Sequence, residues 1–414
     1  MSLRIALRTL GCKVNQAESE AFLSSLRPLE PLVVEEGADL VLINTCAVTT
    51  TAEAEARKEV RRARKSHPEA LIAVTGCYAE LAGDQLLGLG ADAVFPNRRK
   101  GELIAWALSR FGAPAQASSE IWGTCAPLRA RVRAFIKIQD GCNAGCAYCI
   151  IPRLRGRERH REAREILQEA EALLERGTRE VVLSGVRLGS YRGHPRGLPG
   201  LVDELARLGA LVRLSSIEPE DTGEELLETL ARWSPQVRPH LHLSLQTASD
   251  RLLALMGRRY RQQEYRRLVE QAYQMVPGFA LSTDIIAGLP TESEAEHQAT
   301  LSFLEELRPV RIHAFTYTPR PKTRAASLTQ VPLEARRRRT HELISLGRQL
   351  AEARMKPKIG QHIEVLLEAE RSGGWIGHTP DYYEAWVEGP GAWGATVRME
   401  LRSVRGYTLR GRLL

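Results

Sequence analysis

Three closely spaced cysteines near the middle of the chain have the types and spacing most suggestive of chemistry. The segment "DGCNAGCAYCIIP" places Cys142, Cys146 and Cys149 in a C-x3-C-x2-C pattern. Three thiolates in a loop with two glycines can surround one soft metal centre. A structural zinc site needs four ligands, and the nearest further candidate, His160, lies in an arginine-rich segment. Three thiolates instead suit a [4Fe–4S] cluster that keeps one iron open, with zinc and three packed structural cysteines as the alternatives.

Three other cysteines lie far apart in the sequence but share one local context. Cys12, Cys46 and Cys77 occur in "RTLGCKVN", "LINTCAVT" and "AVTGCYAE", each after a predicted strand and before a predicted helix. The carboxyl ends of parallel strands meet at one edge of a sheet, so these thiols should converge there. The alternative is three independent core cysteines. Cys125 has no such context, and we do not expect it to be a ligand.

Strands that alternate with helices predict an α/β protein in two parts, followed by a small β domain. Residues 1–125 should form a parallel sheet domain with the strands "LRIAL", "DLVLINT", "ALIAVTG" and "DAVF". Residues 126–354 should form a partial (β/α)6 barrel with strands at 134–138, 180–185, 212–218, 240–246, 280–288 and 311–317. Chemistry in such barrels lies at the carboxyl ends of the strands.

The last part of the chain, residues 355–414, has short strand patterns with Gly and Pro turns and no helical pattern. It predicts a small β-barrel with the strand segments "IGQHIEVLLEAE", "EAWVEG", "ATVRMELRSV" and "GYTLRGRLL". The polar stretch "GAPAQASSEIWGTCAP" between the first two parts predicts a linker.

Composition narrows the class of protein. The 414 residues carry a net charge of +8, which weakly favours an anionic partner such as RNA. The start of the chain lacks the apolar region of a signal peptide, and no apolar run approaches the roughly 20 residues that span a bilayer. We therefore expect a cytoplasmic protein without a membrane partner, in which seven cysteines do not form a disulfide framework.

The cysteine triplet after the first barrel strand, with Tyr148 before its last cysteine, resembles the radical S-adenosylmethionine (SAM) superfamily. The resemblance implies that the open iron binds SAM and that one electron cleaves SAM to a 5′-deoxyadenosyl radical. It also implies that SAM contacts lie near Tyr148 and at later strand ends, at Ser184, Glu218, Gln246 and Asp284. Each of these polar residues could equally be a satisfied barrel residue.

The order of a three-cysteine α/β domain, a radical-SAM barrel and a small β domain resembles the methylthiotransferase family over essentially the whole chain. The resemblance implies that Cys12, Cys46 and Cys77 hold a second [4Fe–4S] cluster, and that the tail is a TRAM-like, OB-like RNA-binding domain. Arg187 departs from the family pattern in "SGVRLGSY", where we expect an uncharged polar or acidic residue.

The segment "LGCKVNQAES" resembles the branch that converts N6-threonylcarbamoyladenosine (t6A) to its 2-methylthio derivative at tRNA position 37. The branches that modify isopentenyladenosine in tRNA or an aspartate of a ribosomal protein are the alternatives. The resemblance implies that the partners are the tRNA anticodon stem-loop and an electron donor such as a flavodoxin or ferredoxin. DNA is not an expected partner.

Basic segments agree with an RNA substrate. They are "RARVR" (129–133), "PRLRGRERHREAR" (152–164), "EARRRRT" (334–340) and the tail residues Arg398, Arg402, Arg405, Arg410 and Arg412. The alternative for each segment is a solvated helix face, in which Arg161 and Arg164 pair with Glu165 and Glu162. Two further function classes remain open, a radical enzyme acting on a protein side chain and a zinc-stabilised RNA-binding protein without catalysis.

Overall fold

The first part of the chain is a five-stranded parallel sheet flanked by helices, as predicted. The computed structural model describes residues 2–114, 121–123 and 130–414, so Cys125 and most of the predicted linker lie outside the described residues. The strand order is β2-β1-β3-β4-β5. The strands are β1 (Arg4–Thr9), β2 (Leu32–Val33), β3 (Leu40–Thr45), β4 (Leu71–Gly76) and β5 (Ala93–Pro96). The helices are α1 (Lys13–Ser25), α2 (Thr50–Ser66), α3 (Cys77–Gly88) and α4 (Lys100–Arg110).

Hydrophobic pattern and capping explain these elements. All six residues of β3 are buried, as expected for the central strand of a parallel sheet covered on both faces. Helix α2 turns Ala56, Val60 and Ala63 toward the sheet, and the side chain of Thr49 accepts a hydrogen bond from the Ala52 amide at its start. The two-residue edge strand β2 was not predicted, because so short a segment carries no periodicity.

The second part of the chain contains the six predicted strand–helix units. The strands are β6 (Arg133–Lys137), β7 (Gln139–Asp140), β8 (Arg159–His160), β9 (Glu180–Ser184), β10 (Leu211–Leu214), β11 (Ser216–Ile217), β12 (His240–Leu243), β13 (Ala280–Ala287) and β14 (Arg311–Thr316). The helices are α5 (Ile151–Arg155), α6 (Ala163–Glu175), α7 (Gly197–Arg207), α8 (Glu224–Trp233), α9 (Asp250–Leu255), α10 (Gln262–Met275), α11 (Glu294–Leu307) and α12 (Leu333–Met355).

The six main strands form two parallel sheets that share one interrupted strand. The orders are β10-β9-β6 and β11-β12-β13-β14. The strand predicted at 212–218 is divided at Ser215, because β10 pairs with β9 whereas β11 pairs with β12. This change of partner curves the sheet into a partial barrel and leaves its carboxyl ends on one rim.

The tail folds into a closed five-stranded barrel of order β15-β16-β17-β19-β18. Its strands are β15 (His362–Arg371), β16 (Gly374–His378), β17 (Glu384–Glu388), β18 (Thr396–Arg405) and β19 (Thr408–Leu413). The small barrel was predicted, but β16 was missed because its sequence "GWIGH" contains two glycines. Within the part of the chain that the structure describes, no helix is long and apolar enough to cross a membrane.

A buried ionic group fixes this tail barrel to the amino-terminal ends of the central strands. Glu180, the first residue of β9, receives hydrogen bonds from Arg133 Nε (2.7 Å), Arg213 Nε (2.9 Å) and Arg238 Nε (3.0 Å). Arg213 Nη2 also donates to the carbonyl oxygen of Thr379 in the tail, at 3.2 Å. The tail barrel therefore does not cover the opposite, carboxyl-terminal rim of the strands, where the cysteine loops lie.

Candidate functional site

The three scattered cysteines meet at one rim of the first sheet, where the sequence places them. Gly11, just before Cys12, has φ +95°, and a Cβ on it would lie 2.5 Å from Cys46 Cβ and 2.9 Å from its Sγ. Gly76, just before Cys77, has φ +96°, and its Cβ would lie 2.4 Å from the Thr45 carbonyl oxygen. Only glycine allows both the left-handed backbone and this close approach.

Two asparagines hold these cysteine loops together. Asn15 is buried and donates from Nδ2 to the carbonyl oxygens of Leu10 (2.8 Å) and Thr45 (3.0 Å), so it joins the chain before Cys12 to the chain before Cys46. Asn97 Nδ2 lies 3.6 Å from Cys77 Sγ and donates to the carbonyl oxygen of Leu154 at 3.0 Å. Sequence reasoning missed both roles, although Asn15 lies in the motif "KVN".

A buried network of five charged side chains joins α1 and α4 to the central strands. Glu18 Oε1 receives hydrogen bonds from Lys100 (2.6 Å), Lys137 (2.9 Å) and Arg155 (3.0 Å). Asp140 accepts from Lys137 (3.1 Å) and from Arg155 (2.8 Å). Each of these side chains is at most 6% exposed. Buried charges require such pairing because desolvation of an isolated charge is costly.

The charges of this network suit a neighbouring anion. Its three cations face two carboxylates, so one positive charge is left over within the five residues. Arg155 interacts electrostatically with Cys12 and Cys77 as well as with Glu18 and Asp140, and its own pKa stays well above the ordinary value. Three thiolates around a cluster are favoured by such a cation. The donor set and its surroundings therefore fit an iron–sulfur cluster.

The central triplet lies in the loop that leaves the central strands after β7. Gly141 has φ +71°, and a Cβ on it would lie 2.1 Å from the Arg157 carbonyl oxygen. Cys142 Sγ accepts a hydrogen bond from the Ala144 amide at 3.4 Å, and Cys146 Sγ accepts one from Arg258 Nη1 at 3.4 Å. Such donors stabilise thiolates that bind iron.

Burial disfavours the thiolate at one cysteine of each triplet. Burial raises the pKa of Cys149 to about 12 and that of Cys46 to about 11, and the neighbouring thiols of each triplet add to both shifts. Among the described residues, no three His, Cys, Asp or Glu side chains converge on a point that one metal ion would occupy. The ligands of a [4Fe–4S] cluster bind different irons and need not converge on one point.

Among the SAM contacts predicted at later strand ends, Glu218 is connected to the central triplet through Arg258. It forms an ion pair with Arg258, the residue that also donates to Cys146 Sγ. Burial raises the pKa of Glu218, and Arg258 opposes this shift. Arg187, which departs from the family pattern, binds Asp221 through Nε (2.7 Å) and Nη2 (2.9 Å) and thereby holds the turn after Glu218.

Asp284 lies at the same rim and is already partnered. Its Oδ1 is 3.0 Å from His242 Nε2, although the two groups lack the alignment of a hydrogen bond, and Oδ2 accepts from Ser244 at 3.3 Å. Burial would raise the pKa of Asp284, but His242, His313 and Ser244 together outweigh that effect, so the pKa is lowered. Ser184 is fully buried and donates to the Ile136 carbonyl oxygen at 3.1 Å, so its hydroxyl is used within the barrel.

A cavity of about 210 Å³ opens between the two cysteine loops. The first sheet contributes Val48 and Thr49, which follow Cys46, and the central loop contributes Tyr148 and Cys149. The predicted residues Gln246 and Asp284 also line it. Gln246 has φ +67°, a strained conformation that is common at binding sites. The cavity therefore lies between the loop that follows Cys46 and the loop that carries Cys149.

Several arginines of the predicted basic segments are buried and cannot contact RNA. Arg133 and Arg155 belong to the ionic groups described above, and their side chains are 8% and 1% exposed. Arg339 is 6% exposed and pairs with Glu292 at 2.8 Å. These three residues therefore do not contribute to the agreement of the basic segments with an RNA substrate, because each compensates a buried carboxylate. Arg161 pairs with Glu165 at 3.3 Å, as the alternative interpretation predicted, but it is buried and also pairs with Glu169, so it does not lie on a solvated face.

The tail arginines are different, since all five are exposed. They lie on the neighbouring strands β18 and β19, with Arg398, Arg402 and Arg405 on the first and Arg410 and Arg412 on the second. Arg410 also lies over the ring of Trp386, at 5.9 Å. Glu400 lies among them, opposite Arg412 and 3.8 Å from Arg402, so the surface is not uniformly basic. Its exposed arginines and the ring of Trp386 are nevertheless groups that suit a nucleic acid.

Known proteins match the chain along its length. Residues 136–304 match the Radical SAM superfamily, and residues 4–95 match the uncharacterized protein family UPF0004. A threonylcarbamoyladenosine tRNA methylthiotransferase MtaB of Chlamydia pneumoniae is 34% identical and covers 91% of this chain and 89% of its own length. A tRNA-2-methylthio-N(6)-dimethylallyladenosine synthase of Aquifex aeolicus is 31% identical and covers 100% and 99%.

The chain belongs to the radical-SAM tRNA methylthiotransferase family. It is therefore a methylthiotransferase that acts on tRNA and uses SAM with a [4Fe–4S] cluster. A solved radical-SAM methyltransferase, TsrM of Kitasatospora setae with cobalamin and a [4Fe–4S] cluster bound, has a TM-score of 0.57 and 17% identity, covering 79% of this chain and 77% of that one. At this identity the likeness shows the fold alone, and it confirms the predicted barrel.

Proposed function

We propose that this enzyme adds a methylthio group to C2 of t6A at position 37, beside the anticodon of tRNA, with two [4Fe–4S] clusters. The observation that carries the proposal is the cavity lined by both cysteine loops, with Thr49 on one side and Cys149 on the other. A reaction that removes a hydrogen and then inserts sulfur needs both functions within reach of one base. Cluster sites on these two facing loops would meet this need.

The choice of t6A as substrate has two supports. The segment that contains Cys12, "LGCKVNQAES", resembles the t6A branch of the family. The relative from Chlamydia pneumoniae bears the name of that activity. The dimethylallyladenosine branch is the second candidate, because the Aquifex aeolicus relative of that name covers the full length of this chain.

The central loop would bind the first cluster and SAM. Cys142, Cys146 and Cys149 would ligate three irons, and Arg258 would orient Cys146 and hold Glu218 beside SAM. When bound, the clusters and SAM supply the radical that removes the C2 hydrogen and the methylated sulfur that replaces it. The chain contributes position and exclusion of water, through the buried residues around Tyr148 and Gln246.

The rim of the first sheet would bind the second cluster through Cys12, Cys46 and Cys77. Asn15 and Asn97 hold the three loops in place, and Arg155 supplies the compensating positive charge. The arginines of β18 and β19 would bind phosphates of the anticodon stem-loop. The electron would come from an external donor such as a flavodoxin or ferredoxin.

A competition experiment tests the substrate. The anaerobically reconstituted enzyme is given equal amounts of anticodon stem-loops that carry t6A or isopentenyladenosine, and the nucleosides are measured by mass spectrometry. We expect methylthiolation of the t6A stem-loop and little of the other. Preferential methylthiolation of isopentenyladenosine would overturn the t6A assignment while leaving the enzyme class in place.

A further inference from the structure

A turn of the tail barrel packs against the amino-terminal ends of the central strands. The turn joins β16 to β17, and Arg213 holds it by donating to the carbonyl oxygens of Thr379 and Pro380, both at 3.2 Å. Within this turn Tyr382 has φ +72°, a left-handed conformation that is strained for a residue with a side chain. Strain of this kind persists where the surrounding structure holds a residue in a required place, often at a functional site.

The ring of Tyr382 has partners from the first and the central parts of the chain. The guanidinium carbons of Arg213 and Arg133 lie 4.8 and 5.6 Å from the ring centroid, and the ring of His240 lies 4.8 Å from it. The ammonium of Lys13 lies 5.3 Å from the same centroid. These distances are within the range of cation–π interactions, in which the electron-rich face of the ring attracts a cation.

Lys13 reaches from the first sheet domain to the central barrel. It is the first residue of α1 and directly follows Cys12. Its ammonium interacts electrostatically with His240 of β12 and His313 of β14. Tyr382 attracts this ammonium, whereas the two arginines at the ring repel it. A cation that is taken partly out of water needs a compensating group, and Tyr382 supplies one.

The position of Lys13 matters because it lies at the start of α1. Cys12 is the N-cap residue of this helix, and its carbonyl oxygen accepts a hydrogen bond from the Gln16 amide at 3.2 Å. A Lys13 side chain that left the central barrel for water would pull on this first turn. Cys12 would then lose its fixed place at the rim of the first sheet.

We propose that Tyr382 is a positioning residue for the site formed by Cys12, Cys46 and Cys77. Its ring holds the Lys13 ammonium against the central barrel and so keeps the first turn of α1 in place for a cluster. The inference rests on the proposed function, which makes these cysteines cluster ligands, and it assigns part of their site to the tail domain. The tail would then serve the cluster site as well as RNA.

Hydrogen exchange of the metal-free, full-length chain tests the contact without a cluster. The Gln16 amide reports on the first turn of α1, and its exchange is measured by mass spectrometry of a peptide that contains it. Tyr382→Leu should speed this exchange about 10-fold, a factor in the range of a desolvated cation–π interaction. Tyr382→Phe keeps the ring and should exchange within about twofold of the wild-type rate.

Two comparisons separate this role from packing of the tail domain. Tyr407→Leu is a matched change at the same domain contact, because the ring of Tyr407 lies 4.9 Å from the guanidinium carbon of Arg311 in β14. It should leave exchange in α1 unchanged. Lys13→Met replaces the ammonium by an apolar side chain that needs no aromatic partner. In the Lys13→Met background, Tyr382→Leu should no longer speed exchange.

The reconstituted protein tests the consequence for the cluster. Wild type, Tyr382→Leu and Tyr407→Leu are treated with an iron chelator, and iron content and SAM cleavage are followed over time. Tyr382→Leu should lose about four of its irons faster than the other two proteins do. It should keep the irons of the central triplet, and with them the ability to cleave SAM.

The outcomes distinguish the inference from the function on which it rests. Wild-type exchange in Tyr382→Leu, an equal effect of Tyr407→Leu, or an effect that persists in the Lys13→Met background would each overturn the inference. Equal iron loss from both sites of Tyr382→Leu would also contradict it. If the wild type bound only about four irons, the two-cluster function would fail and the positioning of a cluster with it, whereas faster exchange in Tyr382→Leu alone would still establish the contact.

Discussion

Arg155 Nη2 donates a hydrogen bond to the side-chain oxygen of Asn15 at 2.6 Å, across the junction between the two loops that carry the cysteine triplets. Arg155 lies six residues after Cys149, and Asn15 lies three residues after Cys12. The same arginine binds Glu18 and Asp140. One buried side chain thus fixes the position of the first sheet relative to the central barrel, and with it the distance between the two sites.

Replacement of Asn15 by Ala should loosen this junction. The change removes the donor to the Leu10 and Thr45 carbonyl oxygens and leaves Arg155 without one acceptor. We expect the free energy of unfolding to fall by about 1–3 kcal/mol, the cost of unsatisfied buried polar groups. Denaturant unfolding of the metal-free protein measures it.

The matched control for Asn15 lies beside it on the same helix. Gln16 is exposed, and Gln16→Ala should leave the free energy of unfolding within about 0.5 kcal/mol of the wild-type value. After reconstitution, Asn15→Ala should also lose iron from the Cys12, Cys46 and Cys77 site before the central site. Equal stability of the two variants would contradict the role given to Asn15.

The buried network around Glu18 makes stability depend on acid pH. Burial raises the pKa of Glu18, but Arg155, Lys100 and Lys137 outweigh it and hold the pKa well below the usual range. The folded state therefore binds fewer protons than the unfolded state around pH 4. The stabilisation by Glu18 is complete at neutral pH and is lost as the pH falls below the ordinary carboxyl pKa.

Replacement of Glu18 by Gln tests this dependence. It leaves three buried cations with one carboxylate, so we expect a loss of about 3–5 kcal/mol at pH 7, with a shallower fall in stability from pH 5 to pH 3. Unfolding free energies over that pH range measure both effects. The exposed residue Glu36, changed to Gln, serves as the control. If the free energy of unfolding fell with pH equally in Glu18→Gln and in the wild type, the pKa of Glu18 would not differ between the folded and unfolded states as described.

The tail arginines should contribute to RNA affinity through charge alone. Removal of Arg398 and Arg412 by Ala should weaken binding of a tRNA stem-loop, and the slope of log K against log salt should become shallower by about one to two units. Fluorescence anisotropy at several salt concentrations measures the slope. Arg61→Ala, an exposed change on α2, should leave it unchanged. If the variant that lacks Arg398 and Arg412 had the wild-type salt slope, these arginines would not contact RNA phosphates.

Periodicity and local motifs were enough to predict the elements that carry the cysteines. β1, β3 and β4 were found because each is an apolar segment followed by glycine or a small polar residue and then by a helix pattern. The parallel-sheet rule then placed Cys12, Cys46 and Cys77 together although no short motif joins them. The domain boundaries at residues 125 and 354 stay predictions.

The charged residues were harder to interpret, because a sequence does not show which arginines find a buried carboxylate. Arg133 and Arg155 lie in segments whose charge agrees with an RNA substrate, yet their partners Glu180 and Glu18 are 47 and 137 residues away. The role of Arg187 depends in the same way on Asp221, 34 residues later. Such pairs become visible only once the strand ends are brought together.

The central claim is that two cysteine triplets hold two clusters that act on one base. Wild-type protein and the variant Cys12→Ala/Cys46→Ala/Cys77→Ala are reconstituted anaerobically and incubated with SAM, a reductant and a t6A stem-loop. We predict about eight irons per wild-type chain and about four in the variant. Both proteins should cleave SAM, and only the wild type should form the methylthio product. A variant that keeps eight irons, or that still forms this product, would contradict the account.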